Sequence, residues 1–311
     1  MNDHLWQHAE ARWRAIAGER PDLEPAIALQ RTLISRIIGA ERRLAVSDMP
    51  DLDFPARYLA LKIARGVPML QGERIPVPVV ILAPLLTAFA CDLAAGGAGP
   101  AAEHVAEALS SGRIEAGSLL AASLSRDQEG IRITSNQLGL APDLVWLIGE
   151  LASSAFAHAL GQSLWPPIPG HVEESSSVDG TPDAEAEAEG SVWNRGYCPT
   201  CGSWPTLIEL NHEARVLRCS FCASGWQTRI HRCVYCGDTG EGFRVIAPDM
   251  ERPDRLVELC NTCGGYLKAV QLGNSIPFPL LAIEDLATVD LDRAAMEQGF
   301  RRPPLPSTYP A

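Results

Sequence analysis

The sequence predicts an α+β chain of more than one domain. A mainly helical N-terminal part is followed by two small zinc-ribbon-like modules, each built on four cysteines, and by a closing C-terminal helix. Three observations carry this reading. Apolar residues recur at helical spacing through the first 165 or so positions. A stretch near 166–192 is acidic and lacks aromatics. Eight of the nine cysteines then follow as four Cys-x-x-Cys pairs. The expected segments are 1–165 (helical domain), 166–192 (acidic flexible linker), 193–231 (first module), 232–303 (second module with the closing helix) and 304–311 (tail). A length of 311 residues fits about two domains, and 46% hydrophobic content supplies a core.

In the N-terminal part, Trp6, Ala9, Trp13 and Ile16 make one apolar stripe. Leu29, Leu33, Ile34, Ile37, Ile38 and Leu44 make another, with Pro25 at the helix start. Further helices are expected near 55–66, 82–95, 101–111, 115–124 and 142–162. The run Ile75 to Cys91 is uncharged, but three prolines interrupt it and it is short for a bilayer span of about 20 residues. It reads as a buried helix entered through a proline-rich turn, and Cys91 as a small core residue. No membrane insertion is expected.

The linker carries seven carboxylates (173, 174, 179, 183, 185, 187, 189) and no Lys or Arg. They account for −7 of the net charge of −12, so the acidity belongs mostly to this spacer. From Trp193 the pattern becomes β-like, with strands expected at 204–210, 216–218, 225–230 and 243–246 and a turn at Asn211-His212-Glu213. A final helix is expected from about Leu281 to Gln298, with Gly299 as its stop.

The pairs are Cys198/Cys201, Cys219/Cys222, Cys233/Cys236 and Cys260/Cys263. Two intervening residues let both sulfurs face one ion at about 2.3 Å, and four thiolates complete a tetrahedron. Three pairs are followed by Gly (202, 237, 264), which can take the positive φ that turns the chain and aims N–H groups at sulfur. Sequential pairing gives one site from Cys198, Cys201, Cys219 and Cys222 and another from Cys233, Cys236, Cys260 and Cys263. It is favoured over a cross-brace because each half is then a self-contained ββ unit. Four thiolates suit zinc and equally iron in a rubredoxin-type site. Tyr197, Trp204, Phe221, Trp226, Tyr235 and Tyr266 crowd the cysteines and read as the small core of each module.

Other functions find little support. Over 195–268 there are nine basic and eight acidic residues, a net +1 that becomes −3 with two divalent tetrathiolate sites. A phosphate-binding surface needs a clear positive excess, so only the local cluster Arg215, Arg218, Arg229 and Arg232 keeps a nucleic-acid reading alive. No Gly-rich phosphate loop, nucleophile elbow or His-Glu-x-x-His occurs. A saturated ion offers no open position to substrate. His212 and His231 read as surface turn residues, and Glu284, Asp285, Asp290 and Asp292 as the early turns and exposed face of a helix. No catalytic residue is assigned. The opening residues lack a basic start and an apolar core, and with paired reduced cysteines they point to the cytoplasm.

Taken together, Cys198-Pro-Thr-Cys-Gly-Ser-Trp-Pro205, Leu217-Arg-Cys-Ser-Phe-Cys222 with Trp226, Cys233-Val-Tyr-Cys-Gly237 and Cys260-Asn-Thr-Cys-Gly-Gly-Tyr-Leu-Lys268 resemble the formate dehydrogenase accessory protein family FdhE. The segment Asp285 to Gly299 also resembles that family's closing helix. The resemblance covers about 195–302. It implies a cytoplasmic protein with a helical N-terminal domain and two rubredoxin-like modules that bind iron. It also implies a non-catalytic role in assembling respiratory formate dehydrogenase, with the catalytic subunit as protein partner before export. The alternatives from residues alone are a zinc-ribbon nucleic-acid binder and a rubredoxin-like electron carrier.

Overall fold

The computed structural model describes residues 2–46, 49–50, 52, 54–164, 193–211, 214–228 and 231–306. The expected linker at 166–192 lies outside the described residues, as do His212, Arg229 and most of the tail. In chain order the helices are α1 (Asn2–Glu19), α2 (Glu24–Ala45), α3 (Ala56–Arg65), α4 (Val79–Leu93), α5 (Gly99–Ser110), α6 (Ala116–Leu124), α7 (Gln128–Gln137), α8 (Pro142–Leu164), α9 (Leu281–Ala287) and α10 (Val289–Glu297). The strands are β1 (Pro205–Leu210), β2 (Arg215–Cys219), β3 (Gly225–Trp226), β4 (Phe243–Ile246), β5 (Arg255–Cys260) and β6 (Tyr266–Gln271). The mixed fold class matches the expectation.

The chain divides into two compact units. The first comprises Met1–Asp51, Arg74–Ala159 and Ile276–Ala287. Of the two expected stripes, Ala9, Trp13, Ile16, Ile34, Ile37, Ile38 and Leu44 are buried, and Trp6, Leu29 and Leu33 partly so; Leu82, Leu86, Phe89, Ile148 and Phe156 add to the core. Helix α4 packs on α2, α5 and α6. A wide turn at Ala94–Ala98, with Gly97 at φ +118, breaks the apolar run and starts α5. Helix α4 alone has 15 residues, too few for a bilayer span. Helix α8 has 23 residues and is apolar enough to span, and most of it is buried in the protein.

Three expectations fail here. Cys91 is exposed, because the buried face of α4 runs through Leu82, Leu85, Leu86, Phe89, Ala90 and Leu93. The single closing helix is two helices with a break at Thr288, and α9 belongs to the first unit. Glu284 of α9 is buried and accepts hydrogen bonds from Nε and Nη2 of Arg12 at 2.6 and 2.7 Å, so it does not lie on an exposed face.

The second unit comprises Leu52–Glu73, Leu160–Ser275 and Thr288–Ala311. Residues 52–73, read from sequence as part of the helical domain, group here with the cysteines. One six-stranded sheet runs through it in the order β3-β2-β1-β6-β5-β4. Neighbours are antiparallel within each half, while β1 and β6 are parallel, with Leu207 opposite Lys268 and Glu209 opposite Val270. That seam joins the two cysteine modules into one body. Helix α10 covers one face of the sheet, where Leu291, Ala295 and Phe300 pack with Val257, Leu259 and Tyr266. Lys268, fully buried, donates to Asp292 at 2.6 Å, and Asp292 also accepts from Tyr266 and Arg302.

Candidate metal centres

Each Cys-x-x-Cys pair folds into the same tight loop. The N–H of the residue after the pair donates to the carbonyl of the first cysteine in three of them: Gly202 to Cys198, Gly237 to Cys233 and Gly264 to Cys260, at 2.8–2.9 Å. The N–H of each first cysteine donates in turn to the carbonyl five residues on, at Ser203, Ser224, Asp238 and Gly265. Such closure needs a left-handed residue after the second cysteine. Gly202, Gly237 and Gly264 take φ of +85, +78 and +71, and Ala223 takes +55 in the remaining loop. The loops point N–H groups at sulfur: Phe221 and Cys222 both approach the Cys219 Sγ at 3.4 Å.

Cys198, Cys201, Cys219 and Cys222 come together as one group, and Cys233, Cys236, Cys260 and Cys263 as another, with all sulfurs of a group within 4.8 Å. The pairing is sequential. Within the first group the sulfurs lie 3.6 Å (198–222), 3.4 Å (201–219) and 3.7 Å (201–222) apart. In the second they lie 3.7 Å (233–263) and 3.6 Å (236–260) apart. A tetrahedron of thiolates about 2.3 Å from an ion has edges of about 3.8 Å, whereas a disulfide bond is about 2.05 Å. All the cysteines are free, and the donor set fits one tetrahedral ion per group.

The electrostatics agree with sites made for a cation. Burial, and then the neighbouring thiols, push Cys198 well above the ordinary thiol range. Burial does the same to Cys219. Burial raises Cys263 to about 11, and it raises Cys233 as well. Cys260 falls below its ordinary value: burial opposes its thiolate, but N–H donation from Cys263 and Thr262 and the adjacent thiols outweigh it. Without an ion Cys198, Cys219, Cys233 and Cys263 hold protons, so a divalent ion binds by displacing them.

The aromatics cluster as expected and also connect the modules. Trp193, Tyr197, Trp204 and Tyr235 form a file with successive centroids 5.5, 5.9 and 5.1 Å apart, each pair edge-on. The arginines of the suspected nucleic-acid cluster have internal partners. Arg215 donates to both oxygens of Glu258, Arg218 pairs with Glu209, and Arg232 donates to the Asn194 carbonyl at 2.7 Å. His231 is half-exposed and pairs with Glu258 at 3.0 Å, and it belongs to neither sulfur group.

One feature had no sequence signal. The stretch after α3 docks on the first cysteine loop: the Met69 and Leu70 N–H groups donate to the Pro199 and Thr200 carbonyls at 2.8 and 2.9 Å. Buried Lys62 holds this stretch in shape by donating to the Met69 and Gln71 carbonyls at 2.9 and 2.7 Å and pairing with Glu73. Tyr197 donates to the Gly66 carbonyl at 2.6 Å.

A helical unit and a fused pair of four-cysteine ribbons define a protein with two four-cysteine groups, each able to hold one metal ion. No protein-family model matches the chain. The chain is similar to a protein FdhE homolog of Aquifex aeolicus, 34% identical over 116 residues, which are 35% of this chain and 40% of the relative. It is 27% identical over 113 residues to a protein FdhE homolog of Rhizobium meliloti, covering 34% of this chain and 37% of that one. It is 30% identical over 112 residues to protein FdhE of Salmonella paratyphi A, covering 35% and 36%. The matches thus span only about two-fifths of these relatives' length. The crystal structure of the FdhE protein from Pseudomonas aeruginosa shares the fold across 96% of this chain and 93% of its own, with a TM-score of 0.54 at 20% identity. The chain is thus similar in sequence to FdhE proteins over about a third of its length and shares the fold of one of them across nearly all of it.

Proposed function

We propose that this chain is a non-catalytic accessory protein for the assembly of respiratory formate dehydrogenase. It acts in the cytoplasm and binds the catalytic subunit before export. The observation that carries the reading is the fused pair of four-thiolate groups in a chain similar to FdhE proteins. In this reading both groups hold iron, Cys198, Cys201, Cys219 and Cys222 at one and Cys233, Cys236, Cys260 and Cys263 at the other. A tetrahedral four-thiolate ion has no open position, so the metal shapes and braces the docking body rather than activating a substrate. The protein's own groups do the rest: the loop N–H donors steady the thiolates, and the β1–β6 seam fixes the centres in one rigid unit.

Affinity capture from anaerobically grown native cells tests this. The native chain should recover a formate dehydrogenase catalytic subunit, and a Cys198→Ala/Cys233→Ala chain should not. Recovery of nucleic acid in its place, or undiminished formate oxidation in cells lacking the chain, would refute the reading.

A further inference from the structure

We propose that the two four-cysteine centres are not equivalent. The second (Cys233, Cys236, Cys260, Cys263) is an exchangeable site for a thiophilic divalent ion, and the first keeps its ion as part of the fold. The inference rests on the reading that both groups hold ions.

Access differs first. Cys198, Cys201, Cys219 and Cys222 are all buried, none more than 1% exposed, whereas Cys236 and Cys263 are exposed. The first centre is also covered by more chain. The Met69–Leu70 stretch caps its first loop, and Gly161 packs so near Ser224 that a Cβ there would lie 2.8 Å from the hydroxyl. On the second centre Asn261 and Thr262, the residues between the last two cysteines, are exposed beside Cys263. An ion in a four-thiolate site leaves when an incoming ligand reaches it and water protonates the departing sulfurs. At the second centre that approach is open; at the first it needs a local opening of the fold.

The surrounding charge differs as well, and independently. At the first centre hydroxyls adjoin the sulfurs, with Ser203 Oγ 3.3 Å from Cys201 and Ser224 Oγ 3.2 Å from Cys222. The Ser224 hydroxyl can donate to the Cys222 thiolate and favour the loaded state, while Ser203 Oγ accepts from Cys201. At the second, a carboxylate oxygen of Asp238 stands 3.9 Å from the Cys260 sulfur. Beside a doubly negative tetrathiolate that carboxylate repels, and it favours release. Exchange involves no electron transfer: the ion departs, the four thiolates take up protons from water, and reloading returns them.

The test uses the full chain carrying two zinc ions, mixed with excess 4-(2-pyridylazo)resorcinol and followed by absorbance. Release should occur in two phases of one equivalent each, the fast one at least about tenfold faster. A Cys236→Ser/Cys263→Ser chain should lose the fast equivalent and keep the slow one. Asp238→Asn, which keeps the loop's hydrogen-bond acceptor, should slow the fast phase by about twofold to fivefold and leave the slow phase alone. Release of both equivalents in one phase, or a slow equivalent that maps to the second centre, would overturn the inference. A chain that binds no zinc overturns the metal reading along with it. Two phases in a chain that captures no dehydrogenase would support the inference and refute the proposed function.

Discussion

Lys62→Met tests how the segment before the cysteines supports the first centre. The Lys62 side chain is 9% exposed and its ammonium donates to two carbonyls and to Glu73. Methionine keeps the apolar stem, so the change removes the charge and little packing. Breaking a buried ion pair by deleting one partner costs about 3–5 kcal/mol, and leaving a buried carbonyl unsatisfied about 1–3 kcal/mol. Glu73 keeps the Tyr58 hydroxyl at 2.5 Å and some water, which lowers the total. The expected loss is about 3–4 kcal/mol. It should appear as a lower urea midpoint for the metal-loaded chain, read by fluorescence of the buried Trp193 and Trp226. Glu73→Gln in the same background should give back part of the loss, because it removes the stranded carboxylate. The fold of 66–70 depends on this lysine, so zinc release from the first centre should also accelerate. A loss under about 1 kcal/mol, or an unaltered slow phase of zinc release, would refute the bracing role. Lowering the pH should mimic the change only under acid conditions. Burial opposes the Glu73 charge, but hydrogen bonds from Lys62 and Tyr58 prevail and hold its carboxyl below the usual range. Its contribution is present above the unfolded carboxyl pKa and disappears as pH falls through the lower folded value.

Four further substitutions probe separate parts of the fold. Gly196→Ala should cost more than about 3 kcal/mol or prevent folding, since its Cβ would lie 1.7 Å from the Val234 carbonyl oxygen; an unaltered urea midpoint would show that the modules do not approach so closely. Ala223→Gly should stabilise the chain by up to about 1 kcal/mol, because the residue sits at φ +55, while Gly264→Ala at φ +71 should destabilise it by a similar amount, both read from the urea midpoint; the same sign for both would contradict the shared loop geometry. Glu41 is held up at about 7 by burial, so the carboxyl favours the folded state most below its unfolded pKa, and that contribution is lost as pH rises from about 4.5 to about 7. Glu41→Gln should therefore stabilise the chain at pH 8 by about 1–2 kcal/mol after allowing for partial exposure, and by nearly nothing at pH 4. An equal gain at both pH values would refute the burial argument.

The sequence carried the cysteine groups furthest, because four-residue spacing fixes loop geometry locally and two such loops per ion leave few pairings. The helices of the first unit were legible for the same local reason, with apolar stripes at 3.6-residue period. Helix α7 was not: Gln128–Gln137 carries few apolar positions and buries only Ile131 and Ser135 among its described residues. Strands β5 and β6 were also missed, although Leu256-Val-Glu-Leu-Cys and Tyr266-Leu-Lys-Ala-Val alternate weakly. Both are buried on both faces, so Glu258 and Lys268 sit inside with partners on other segments, and the polar alternation that marks a half-exposed strand is lost. The grouping of 52–73 with the cysteines had no signal, since it rests on backbone hydrogen bonds to Pro199 and Thr200, which leave no side-chain pattern in the sequence.

The seam between the modules raises a question of closure. In chain order the three strands of each module correspond, β1 to β4, β2 to β5 and β3 to β6. The sheet order joins the first strand of one module to the third strand of the other. A head-to-tail contact of this kind does not close on itself and could extend indefinitely, the third strand of each copy meeting the first strand of the next. Two features stop it. The free third strand, β3, has only two residues, against six in β6, so it offers too little backbone to repeat the four-residue β1–β6 pairing. The free first strand, β4, places exposed Arg244 on the opposite edge, a charge of the kind that discourages edge pairing. Lengthening β3 should therefore favour association of chains end to end. In the native chain the same asymmetry leaves β4, next to the more exposed four-cysteine group, as the longer of the two sheet edges among the described residues.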